Sequence, residues 1–136
     1  MRSPFKASYR ENGDIIIVKI VGKMFGCPNF EEILYDPVNE QLDRGFRKFV
    51  LDMSRVRYIT SIGVSFINAI YTSIKNDHGE IVLCGQNDRV LSVFHVAELD
   101  RLYTSYPDVE KAIASFGGTM LKQAEEGASE ISRTIM

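Results

Sequence analysis

Apolar residues fall in short runs along this chain, and the spacing inside each run predicts strands and helices in turn. Residues 5–9 and 15–21 read as two strands. Glu11-Asn12-Gly13-Asp14 between them is turn chemistry, so a hairpin is expected. The second run has almost no polar alternation, which predicts burial on both faces. Residues 22–26 read as a loop. From Pro28 to Gly45 the pattern is helical: Phe30, Leu34, Val38 and Leu42 recur every four residues, with Asn29 as cap and Gly45 as C-terminal stop. Pro37 interrupts this segment. It either kinks the helix or starts a second one capped by Asp36. Residues 49–53 form a buried strand by run length, and a short loop follows.

Residues 61–76 carry the strongest helical signal. Ile62, Phe66, Ile70 and Ile74 make one stripe with Ile67 and Ala69 beside it, while Ser65, Asn68, Thr72 and Lys75 lie opposite. Asn76-Asp77-His78-Gly79 ends it. Residues 81–84 are another buried strand. Asn87 or Asp88 then caps a helix through Val90, Leu91, Phe94 and Ala97. Residues 102–105 are a short strand candidate, and Pro107-Asp108 opens a last helix through Val109, Ala112, Ile113 and Phe116. The order β-β-α-β-α-β-α-β-α predicts an α/β fold: a mixed, mainly parallel sheet with right-handed crossovers and covering helices. Gly117-Gly118 marks a change of character. Residues 1–118 are read as one domain and 119–136, richer in Ala, Glu and Ser, as a C-terminal tail or extra helix.

Composition narrows the function. The 136 residues, 45% hydrophobic and 25% charged, are enough for one domain with a sizeable core. Sixteen Lys and Arg against 18 Asp and Glu give a net charge of -2, and no basic stripe stands out in the sequence, which argues against a nucleic-acid partner. No apolar run is long enough to span a bilayer, and no leader-like segment follows the first residues. Cys27 and Cys84 belong to no paired-cysteine motif or Cys/His cluster, so a cytoplasmic chain with reduced thiols is expected. No glycine-rich phosphate loop, H-E-x-x-H or nucleophile elbow is present, and neither a catalytic residue, a metal ligand nor a cofactor is assigned.

The candidate chemistry sits where the strand at 49–53 gives way to the helix at 61–76. Free backbone N–H groups and the positive end of the helix dipole meet there. Ser61 is at that junction. Its hydroxyl is either a plain cap or a place for a phosphate, and Thr60 is placed to supply the cap instead. The surrounding Thr60-Ser61-Ile62-Gly63 resembles the D-S-S-G or D-S-T-G motif of the STAS domain, a family named for sulfate transporters and anti-sigma factor antagonists. Four further segments are similar to the family's in register: Gly79 to Gly85, Asn87 to Phe94, Leu99 to Tyr103 and Asp108 to Ala112. The resemblance covers about residues 5 to 116, and the order of elements agrees.

In free-standing bacterial members of that family the serine after the motif Asp is phosphorylated by a kinase that doubles as an anti-sigma factor. The unphosphorylated domain captures this kinase, and a serine phosphatase resets the switch. The resemblance therefore implies Ser61 as phosphoacceptor. It implies docking through Lys23, Met24, Phe25, Thr60, Ser61, Ile62, Gly63 and Ser65. Two residues depart from the pattern: Thr60 stands where the family has Asp, and Phe25 stands where it often has a second Asp. Met24, Phe25 and Ile62 would give the partner an apolar surface. Two alternatives remain: a STAS scaffold subunit that is never phosphorylated, and a small-molecule or nucleotide module using the helix N-terminus as an anion site.

Overall fold

The computed structural model describes residues 3–117, so the expected tail over 119–136 lies outside the described residues. Five strands form one sheet in the order β1-β2-β3-β4-β5: β1 Phe5–Asn12, β2 Ile15–Met24, β3 Lys48–Ile59, β4 Glu80–Cys84 and β5 Ser105–Tyr106. β1 and β2 are the expected hairpin, and every later pairing is parallel. Helices α1 (Asp36–Asp43), α2 (Ser61–Asn76) and α3 (Asp88–Val96) fill the crossovers, and α4 (Val109–Gly117) follows β5, in the order the sequence predicts.

Two cores result. The larger lies between the sheet and α1 to α3, with Phe49, Leu51, Met53, Ile67, Ile70 and Phe94 at its centre. The smaller, on the other face, holds Ile15, Ile17, Val50, Val82 and Cys84 against Ala112 of α4. Ile15 to Val18 are all buried because alternate side chains of β2 feed the two cores, as the unbroken apolar run requires. Cys84 is a packed small hydrophobe. Burial pushes its thiol from 9.0 up to about 12, with Asp52 and Asp108 adding to the effect, so it stays protonated at neutral pH.

Several expected boundaries moved, each for a visible reason. Residues 22–24 are strand rather than loop: Gly22 pairs with Val56, Lys23 with Tyr58 and Met24 with Ile59, across register shifts in which β3 carries the extra residues. The expected short loop after residue 53 is likewise strand, because β3 continues to Ile59 against β2 after β4 has ended. The strand expected at 102–105 is confined to Ser105–Tyr106, and Leu99–Arg101 forms a 3₁₀ turn instead.

The segment from 28 to 45 is not one regular helix. Glu31–Tyr35 is a π-turn that runs directly into α1. Asp36 does not cap α1; its N–H donates to Glu31 O and closes the wide turn. Pro37 explains this. It has no N–H for the Ile33 carbonyl, and the Tyr9 hydroxyl donates to that oxygen instead at 2.9 Å. Asn29 is not a cap either; its Oδ1 accepts from the Cys27 thiol at 3.2 Å. Gly45 is the expected stop, with φ +101°, and Phe46 N–H reaches back to Gln41 O at 3.0 Å.

Candidate functional site

The junction at Ser61 is built by the last rung of the sheet. Met24 on β2 and Ile59 on β3 are register partners, and one residue later the chain turns into α2. Thr60 N–H donates to Met24 O at 3.0 Å, and the Thr60 hydroxyl leans on the same carbonyl at 3.4 Å. The hydroxyl oxygen also accepts from Gly63 N–H at 3.4 Å, so Thr60 is the cap of α2.

Ser61 is therefore the first residue of the helix, and its side chain is exposed. Its hydroxyl makes no hydrogen bond among the described residues. The first turn of α2 holds no acidic residue, so nothing there offsets the positive end of the dipole. Because capping belongs to Thr60, Thr60→Ala should cost about 0.5–2 kcal/mol in urea denaturation. Ser61→Ala should stay within about 0.5 kcal/mol of wild type in the same experiment. The reverse order would place the cap at Ser61.

The structure sorts the eight expected docking residues into two groups. Ser61, Ile62 and Ser65 are exposed, with Ile62 at 52%, and Lys23, Phe25 and Thr60 are partly exposed. Ile62 does not join the core stripe. The buried face of α2 is Gly63, Ile67, Ile70 and Ile74, rotated away from it. Phe66 sits at the core's margin, stacked on Phe30 with ring centroids 4.1 Å apart. Ser65 Oγ donates to Ile62 O within the helix.

Met24 and Gly63 are corrections to the expected surface. Met24 is 0% exposed, because even positions of β2 point to the main core. Its backbone carbonyl, not its side chain, serves the site. Gly63 is buried against that carbonyl, and a Cβ there would come within 2.2 Å of Met24 O. Both residues position the junction and neither is open to a partner.

Tyr58 is the residue that sequence reasoning missed. Its ring lies 5.9 Å from that of Phe25, and Lys23 Nζ stands 5.9 Å from its centroid. Reading residues 54–58 as a loop hid it; the pairing of Lys23 with Tyr58 brings it beside Lys23 and Phe25. A cleft of about 490 Å³, with Arg10, Asp52, Ser54, Gly85, Asp108 and Glu110 in its walls, lies beside α4 on the other face of the sheet, not at Ser61. No group of three or more His, Cys, Asp or Glu among the described residues is arranged to hold a metal ion. No helix among them is long and apolar enough to cross a membrane.

A family model of the STAS domain matches residues 6–112. The chain belongs to the STAS domain family. BtrV of Bordetella bronchiseptica, named as an anti-sigma factor antagonist, is 32% identical to this STAS domain over 76 residues. That stretch is 56% of this chain and 66% of BtrV, so a third of BtrV lies outside the match. The crystal structure of a Thermotoga maritima protein, also named as an anti-sigma factor antagonist, is similar with a TM-score of 0.69 and 25% identity. The likeness covers 80% of this STAS domain and 92% of that chain. The anti-sigma factor antagonist SpoIIAA in its unphosphorylated form gives a TM-score of 0.70 at 14% identity, over 85% of this chain and 99% of its own. SpoIIAA is solved in a phosphorylated form as well. At that identity SpoIIAA speaks for the fold alone; the name of anti-sigma factor antagonist is carried by BtrV and by a Thermotoga neapolitana relative 29% identical over 89 residues.

Proposed function

We propose that this STAS domain is an anti-sigma factor antagonist of the partner-switching type, with the start of α2 as its docking end and Ser61 as its phosphoacceptor. Unphosphorylated, it would capture a cognate anti-sigma factor that is also a serine kinase. Phosphorylation of Ser61 would end that capture, and a serine phosphatase would restore it. The observation that carries this reading is the exposed Ser61 hydroxyl, relieved of capping by Thr60 and set at the positive end of α2.

The chemistry follows from the position. A phosphate on the first helical residue gains free backbone N–H groups and the dipole, so modification leaves the helix intact. Roughly two negative charges would appear beside the exposed Ile62, on a surface whose neighbours Phe25 and Tyr58 are aromatic. A partner packed on that surface would have to bury them unpaired, at a cost of several kcal/mol. The effect falls on the complex and not on the fold.

Thr60 and Phe25, standing where the family has carboxylates, favour a second reading in which the same surface docks permanently and is never modified. Intact-mass measurement on protein taken from its native cells separates the two. The switch predicts a fraction heavier by one phosphate group, absent from Ser61→Ala. A single unmodified mass under every growth condition tried would leave the permanent scaffold.

A further inference from the structure

Among the described residues, the second face of the sheet is only half covered. α4 packs over Val50, Val82 and Cys84, while β1, the end of β2 and the last rungs of β3 lie beyond it. The register fixes which side chains stand there. The rows Lys6–Val21–Arg55, Ser8–Lys19–Asp52 and Lys23–Tyr58 alternate with rows that face the main core, such as Phe5–Gly22–Val56 and Met24–Ile59. Cross-strand partners share a face, so Lys6, Lys19, Lys23 and Arg55 stand on the same side, with Arg10 one row further on.

Strands about 4.8 Å apart, and alternate residues about 6.7 Å apart along each, gather these five cations within roughly 20 Å. None of the five is in an ion pair among the described residues. Asp52, the carboxylate on those rows, is turned inward at 8% exposure and accepts Ser54 N–H at 3.0 Å. Arg10 borders the cleft it shares with Asp108 and Glu110, so its charge is partly answered; the other four are not. The cations are scattered in the sequence and become a patch only through pairing.

The main-core side of the molecule carries the complement. Glu31, Glu32, Asp36, Glu40 and Asp43 are all exposed, and none is in an ion pair among the described residues. Spacings of four, four and three place Glu32, Asp36, Glu40 and Asp43 along one stripe of the π-turn and α1. Five unanswered anions on one side thus match five cations on the other.

We propose that the basic sheet face of one copy seats the acidic stripe of a second copy. A second copy suits the face better than a nucleic acid does, because the chain is net negative and its acidic flank would repel phosphates. The contact is heterologous: each molecule offers one half at either side, so association runs head to tail and is not closed by a two-fold axis. Being between exposed charges, it is strong only at low salt.

Analytical ultracentrifugation of the full chain tests this directly. At about 10 mM salt, where the Debye length is ~30 Å, the average mass should exceed the 15.4 kDa of one chain; at about 1 M, where it is ~3 Å, the mass should return to it. Lys6→Glu with Arg55→Glu, and separately Glu32→Lys with Glu40→Lys, should each leave a folded monomer at low salt by sedimentation and circular dichroism. Mixed in equal amounts, the two variants should pair, since each keeps the half the other has lost. A wild type that is monomeric at both salts, as expected if residues 118–136 of the same chain held the face instead, overturns the proposal. So do association that survives 1 M salt and variants that fail to pair on mixing. The wild-type salt series decides the matter even where a variant does not fold.

Discussion

Gly63→Ala will destabilise this domain by about 2–3 kcal/mol, although alanine is the better helix former by about 1 kcal/mol. The reason lies outside the helix. The new Cβ would stand 2.2 Å from Met24 O, 2.7 Å from Ile59 Cγ1 and 2.9 Å from Met24 C. Two of these atoms are backbone, and the carbonyl is held by Thr60 N–H at 3.0 Å. Relief requires α2 to lift from the end of β2, which loosens the rung that presents Ser61. Gly26→Ala is the matched control, since its added Cβ meets nothing within 4 Å; it should be neutral to about 0.5 kcal/mol. Urea denaturation of the two variants reads the difference. An unchanged or raised midpoint for Gly63→Ala would show that the helix start is not fixed by this contact, and the geometry assigned to Ser61 would lose its support.

Ser61→Asp will weaken binding of the cognate anti-sigma factor by roughly 10- to 100-fold, about 1.4–3 kcal/mol, while Ser61→Ala leaves it within a factor of about two. The same Asp should not harm the fold. A negative charge on the first residue of α2 interacts with the dipole by about 0.3–1 kcal/mol in its favour. The expected signature is thus a split: thermal stability level or slightly raised, affinity lost. Calorimetric titration of both variants beside wild type measures it. Equal affinities for Asp and Ala would remove Ser61 from the interface and leave the permanent scaffold as the better account. A drop in both affinity and stability would instead show Ser61 holding the helix, against the capping role found for Thr60.

The parts of the chain read well from sequence are those whose burial follows from local period. Ile15 to Val18 announced a strand buried on both faces, and the stop at Gly45 announced a left-handed residue that a Cβ disfavours. α2 has the bounds its caps predict, and Asn87 caps α3 through Val90 N–H at 2.9 Å. The misreadings occur where a distant partner decides. Residues 54–59 carry Ser, Arg and Tyr, a loop-like composition, yet β2 pairs with them and makes them strand. Ile62 has the right spacing for the stripe of α2 but stands at the helix end, beyond the core, and stays exposed. The π-turn before α1 exists because Tyr9, some two dozen residues away, can supply the donor that Pro37 lacks.

The sequence by itself determined the order of elements, the mixed sheet, the family and the serine at the head of α2, because each is written in contiguous residues with their own period or motif. Tertiary structure alone decided which of the residues around that serine face outward. Met24 and Gly63 were drawn inward by the pleat of β2 and by a carbonyl approach too close for any side chain, while Tyr58 was brought beside Lys23 by pairing across strands. Exposure depends on the direction of each side chain against its neighbours in space, and residues more than thirty positions apart carry no local mark of it.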